Sequence, residues 1–128
     1  MDSVIFSNIV LAVILEGTAA EFMTVPENEI VFLNSTAVLQ CSTNSTKPIS
    51  WFFESAKSFG TNAVVLLGNL TTAKYKLDRS IPGQYNLIIE SADLSYAGTY
   101  KCSEGSFGPK VEAKLVVIGK NNVCRGYP

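Results

Sequence analysis

The chain has 128 residues, room for one hydrophobic core with short appendages. Ten basic and eleven acidic residues leave a net charge of -1 without any basic run, so a nucleic acid or an anionic membrane surface finds no electrostatic footing. Histidine is absent, which excludes Ser-His-Asp and Cys-His catalysis, and the three cysteines include no Cys-x-x-Cys pair of the kind that holds zinc.

In chain order, the first segment is MDSVIFSNIVLAVILEGTAA. Its apolar run from Val4 to Leu15 is broken only by Ser7 and Asn8 and is followed by Thr18, Ala19 and Ala20. The run is too short to cross a bilayer comfortably as a helix. Residues 1–20 therefore read as a signal peptide cleaved after Ala20, with the departure that Asp2 precedes the run and no Lys or Arg does. No later apolar stretch approaches a membrane-spanning length, so no membrane insertion is expected of this chain. It is expected to be secreted, or to be the extracellular piece of a larger cell-surface protein. In an oxidising compartment two of Cys41, Cys102 and Cys124 should pair.

From Glu21 onward the periodicity is that of strands. An opening strand is expected near Val25 to Phe32. Further apolar, β-branched or aromatic runs start at Thr36, Ile49, Ala63, Tyr75, Gln84, Gly98 and Val111. Turn-forming stretches separate them at Asn44 to Pro48, Gly60 to Asn62, Ile81 to Gly83 and Gly105 to Pro109. Helical spacing is confined to one turn at Ala92 to Ala97. About eight short antiparallel strands at this spacing make an all-β sandwich or barrel.

The stretch AGTYKC, Ala97 to Cys102, places Tyr100 in phase with Cys102 and just after Gly98. If Cys102 faces inward, so does the Tyr100 ring, whose hydroxyl then needs a backbone partner a few residues upstream. Gly98 is expected to let the chain pass closely under that ring. Cys41 on an early strand and Trp51 on the next complete a pattern with this late Tyr-x-Cys. On these residues, in register with YNLIIESADLSYAG, Glu21 to Gly119 resembles an immunoglobulin domain of V or intermediate type.

The resemblance implies a two-sheet antiparallel sandwich with Greek-key connections over residues 21–119, followed by a tail at 120–128. It implies a Cys41–Cys102 disulfide packed on Trp51, with Tyr100 and Leu87 in the core. Cys124 is left without a partner inside the domain, either to crosslink two copies, to pair in a following domain or to stay a free thiol. Three departures stand out. Tyr96 occupies the family's usual aspartate position and Lys74 its usual arginine position, so the ion pair across the bottom of the domain should be missing, with Asp93 in the wrong register to replace it. The last strand lacks the Phe-Gly-x-Gly bulge of antigen-receptor joining segments. The short link between the runs starting at Ala63 and Tyr75 leaves little room for a full C″ strand.

Glu54, Glu104 and Glu112 read as solvated surface acids, and nothing else argues for an enzyme or a cofactor. The resemblance instead implies a recognition module that binds a protein, with a second copy of the chain among the admissible partners. Strand phase points to the outer face of strands C (from Ile49), C′ (from Ala63), F (from Gly98) and G (from Val111), where Phe52, Glu54, Lys101, Ser103, Glu112 and Lys114 should project outward beside Phe107 of the loop between F and G. An aromatic anchor within a rim of both charges suits an interface and permits a homodimer through that face. The sequons at Asn34, Asn44 and Asn69 are expected to carry glycans, those at Asn44 and Asn69 crowding the loop tips.

Overall fold

A computed structural model describes residues 22–119. The expected signal segment, the tail and Cys124 lie outside the described residues. The strands are β1 (Phe22–Thr24), β2 (Glu29–Phe32), β3 (Ala37–Leu39), β4 (Ser42–Thr43), β5 (Ile49–Ser55) and β6 (Thr61–Leu66), then β7 (Asn69–Leu70), β8 (Lys76–Asp78), β9 (Asn86–Ile89), β10 (Gly98–Glu104) and β11 (Lys110–Ile118). A single 3-10 turn at Leu94–Tyr96 lies between β9 and β10, where the sequence showed its one helical spacing. One layer is a six-stranded sheet in the order β2-β11-β10-β5-β6-β7. The other is β3-β9-β8, extended where β4 pairs with β1 and bridges to Gln84 just ahead of β9. The chain changes layers between β1 and β2, β2 and β3, β4 and β5, β7 and β8, and β9 and β10, which is the Greek-key winding the resemblance implied.

The opening strand is not continuous. β1 belongs to one layer and β2 to the other, with residues 25–28 crossing between them around Pro26, which has no amide to give a ladder. After that crossing β2 runs parallel to β11, with Leu115 beside Glu29 and Ile118 beside Phe32. The sandwich is therefore antiparallel except at this edge. A contact between residues more than eighty positions apart leaves no mark on local alternation.

Alternation decides what the sandwich buries. Along β11, Ala113, Leu115 and Val117 are buried while Glu112, Lys114 and Val116 are exposed. The Cys41–Cys102 disulfide joins the two layers across a Cα–Cα distance of 6.6 Å, with both cysteines fully buried. Trp51 lies opposite Cys102 in register, and its Nε1–H donates to the Tyr85 carbonyl at 2.8 Å, so its one polar group is satisfied inside the core. Leu87 and Tyr100 are also fully buried.

The Tyr100 hydroxyl donates to the Tyr96 carbonyl at 2.7 Å and lies 3.0 Å from the Tyr75 hydroxyl. Its ring stacks on Phe53 with centroids 4.6 Å apart. Gly98 does relieve crowding, but not against the Tyr100 ring: a Cβ there would lie 2.2 Å from the Glu54 carbonyl oxygen of β5. Below this corner the family's ion pair is replaced. Lys74 Nζ sits 4.7 Å over the Tyr96 ring, and the Tyr96 hydroxyl donates to the Lys74 carbonyl at 2.9 Å. Asp93 instead caps the 3-10 turn by accepting from the Ser95 amide at 2.8 Å, and the hydrogen bonds from Ser95 hold its carboxyl below the usual range.

This corner is expected to make the domain alkali-sensitive. Burial pushes Tyr75 up to about 12 and pushes Tyr100 up as well, because an ionised phenolate there would be desolvated. A raised folded pKa gives stability that is complete below the unfolded value, about 10, and is lost as pH rises through the folded one. The melting temperature should therefore hold through mildly basic pH and fall on approaching pH ~12, with tyrosinate absorbance rising in the same window. Tyrosinate absorbance developing fully near pH ~10 without loss of fold would contradict this.

Candidate partner-binding face

The six-stranded sheet turns one face to the core and the other outward. Register sets a single outward row across four strands, Glu112, Lys101, Phe52 and Ala63. The next row is Lys114, Thr99, Glu54 and Thr61. Lys101 Nζ reaches diagonally to Glu54 Oε2 at 3.0 Å, and the Thr61 hydroxyl donates to the same oxygen at 3.0 Å. The Lys101 hydrogen bond, seconded by Thr61, holds the Glu54 carboxyl below its usual range. Phe52 is half-buried rather than fully exposed, with Lys110 Nζ 5.9 Å from its ring centroid. Glu112 and Lys114 are exposed, and Phe107 in the loop between β10 and β11 is 94% exposed.

A register shift in β6 shapes the apolar part of this face. Trp51 lies opposite Val65 but Phe52 opposite Ala63, so Val64 is an extra residue in the strand. Val64 and Val65 are both buried, and Leu66 emerges on the outer side. The chain then reverses through Leu67 and Gly68, both with positive φ (50° and 86°), the conformation of a two-residue hairpin turn. β7 follows, two residues long, in keeping with the little room expected for a C″ strand. Phe52, Leu66 and Phe107, with Thr61, Lys101 and Lys110, surround an open depression of about 430 Å³.

Two expectations fail here. Ser103 has the outward phase but is fully buried and is not part of the accessible face. It lies opposite Ser50 and Lys110 at the end of the sheet where the β6–β7 turn folds back. Ser50 is buried with it and accepts from the Leu67 amide at 2.9 Å, so two small side chains sit beneath a returning hairpin. Glu104 is not a solvated surface acid: it shares the inward phase of Cys102 and is 6% exposed. Leu66 and Lys110 were not singled out from the sequence. The Leu67-Gly68 pair was the available signal for a turn, weakened because leucine rarely adopts positive φ.

All three sequon asparagines are exposed. Asn34 occupies the turn after β2 with φ 70°, and Asn44 follows β4. Asn69 is not at a loop tip: it begins β7 within the six-stranded sheet, directly opposite Leu66. Among the described residues no group of three His, Cys, Asp or Glu side chains converges as a metal site, and no helix is long and apolar enough to cross a membrane.

No family model matches this sequence, and no curated protein matches it. Solved structures do. The crystal structure of the RIG-5 IG1 homodimer is similar with a TM-score of 0.67 at 14% identity, over 78% of this chain and 98% of that one. A mutant complex of titin M10 with an obscurin-like 1 immunoglobulin domain gives a TM-score of 0.61 at 16% identity, over 81% and 97% of the two chains. The tandem Ig repeats of Dlar give 0.58 at 17% identity, over 77% of this chain and 46% of that one. At such identities the likeness is one of fold, and it coincides with the buried disulfide, the tryptophan behind it and the tyrosine hydroxyl closing the corner. Residues 22–119 fold as an immunoglobulin domain.

Proposed function

We propose that this chain is an extracellular recognition module, not an enzyme, that binds a protein partner through the outer face of its six-stranded sheet as part of a cell-surface receptor or adhesion system. The observation that carries the reading is the depression between Phe52, Leu66 and Phe107, bordered by Lys101 and Lys110. An apolar centre within a charged border is the anatomy of a protein interface. The disulfide suits an oxidising compartment. The similar structures include a homodimer and a complex between two immunoglobulin domains, which supports protein binding as the class of activity. A stand-alone secreted binder would use the same face.

Self-association is a second reading with its own support. Both charge signs occur on the face, with Glu54 and Glu112 among Lys101, Lys110 and Lys114. A two-fold axis can set acids of one copy against lysines of the other. The test is a binding screen against cell-surface ectodomains that includes the protein itself. Lys101→Glu sets a second carboxylate against Glu54 and should abolish the interaction found. Its melting temperature should fall only slightly, since a half-exposed ion pair is worth about 0–1 kcal/mol and a facing like-charge pair costs a similar amount. Undiminished binding by this variant would count against the sheet face. At least two sequons should carry glycans in a eukaryotic secretory host, seen as a gel shift on glycosidase treatment; no shift would contradict this.

A further inference from the structure

Asn69 differs from the other two sequons in where its side chain projects. It lies directly opposite Leu66 in the β6–β7 pair. Opposed residues of an antiparallel pair project from the same side of the sheet. Leu66 lines the depression together with Phe52 and Phe107. Asn69 therefore stands on the candidate binding face, at the rim of its apolar centre. It is exposed, it opens the sequon Asn69-Leu70-Thr71, and its cross-strand neighbour Leu66 is 41% exposed. Asn34, by contrast, follows β2 at the opposite edge of the same sheet, and Asn44 follows β4 of the other layer.

We propose that an N-linked glycan on Asn69 is a steric gate over this depression. β7 lies two strand spacings from β5, about 10 Å from the strand that carries Phe52. An N-glycan is bulky and strongly hydrated, so one anchored at this rim sweeps the space a protein partner must enter. Small molecules still pass. Without the glycan, Leu66 and the depression it lines are open to a partner. Occupancy of this one sequon thus sets how much of the protein can bind. The consequence for binding rests on the function proposed above, whereas the gate itself is a matter of access and is tested without a partner.

The probe is a cysteine introduced by Phe107→Cys in a Cys124→Ser background, produced in a eukaryotic secretory host and labelled with a small maleimide or with a polymer-linked one. Val38→Cys, exposed on β3 of the other layer, is the control position. With Asn69 glycosylated, the polymer reagent should label Cys at position 107 several-fold more slowly than in the Asn69→Gln protein. The small reagent, and both reagents at position 38, should show no difference. Enzymatic removal of glycans from the folded protein should restore the fast rate, which covers the case in which Asn69→Gln disturbs the sheet edge. Thr71→Ala is avoided because the Thr71 hydroxyl donates to the Ala63 carbonyl at 2.7 Å. Equal polymer rates at position 107 with and without the glycan overturn the proposal, as does mass spectrometry showing Asn69 unmodified. A working gate with binding insensitive to Lys101→Glu would leave this inference standing and remove the face as the binding site.

Discussion

Replacing Cys41 and Cys102 together by alanine should destabilise the domain by about 2–5 kcal/mol, against a total stability of about 5–15 kcal/mol for a domain of this kind. The bond closes a loop of 61 positions and ties β10 to the opposite layer, so its loss frees the unfolded chain more than it disturbs any surface. Both sulfurs are fully buried next to Trp51, and truncation also leaves unfilled space in a core whose density tolerates little of it. A thermal melt with and without reductant measures this. An unchanged curve after a thiol assay has confirmed reduction would show that the two layers hold without their covalent tie.

Gly98→Ala should destabilise the domain by about 3 kcal/mol, a large cost for a single methyl. Two effects combine. Gly98 has φ 154°, a region that residues with a side chain seldom enter, and its added Cβ would meet the Glu54 carbonyl oxygen at 2.2 Å. That oxygen is backbone and cannot rotate away, so β5 must separate from β10 just where Gly98 pairs with Ser55. Gly105→Ala separates the contributions, because Gly105 also has positive φ (66°) but no atom within 4 Å of the built Cβ. It should cost only the backbone share, about 1 kcal/mol. If the two variants melt together, crowding against β5 is not what Gly98 relieves.

Much of the molecule was legible because its signals are local and locked to strand phase. Trp51, Tyr100 and Cys102 lie on strands whose alternation carries one inward set, and the resemblance named that set and added Cys41, which sits in the link between β3 and β4. The same phase put Phe52, Glu54, Lys101, Glu112 and Lys114 on one face, and register shows them in adjoining rows. Phase could not foresee a segment returning over the sheet, so Ser103 was read as accessible although the β6–β7 turn comes back over its end of the strand. That turn was itself hidden, because Leu67 adopts φ 50° where Asn or Gly would ordinarily announce a hairpin. The layer change near Pro26 and the parallel β2–β11 pair depend on contacts between the two ends of the domain. No window of neighbouring residues records those.

The most direct test of the binding face compares Phe52→Arg with a change at the loop end of the domain, Lys47→Glu, for binding to whatever partner the ectodomain screen identifies. Each variant is first checked for an unchanged melting temperature. Phe52 is the aromatic centre of the sheet face, whereas Lys47 lies in the turn between β4 and β5 and is not among the residues that line the depression. Truncating or charging a central interface residue typically costs at least about 2 kcal/mol of affinity, roughly thirtyfold, while peripheral changes cost little. The expected result is loss of binding in Phe52→Arg and full binding in Lys47→Glu. Full binding by a folded Phe52→Arg, with loss in Lys47→Glu, would move the site to the loops and contradict the account.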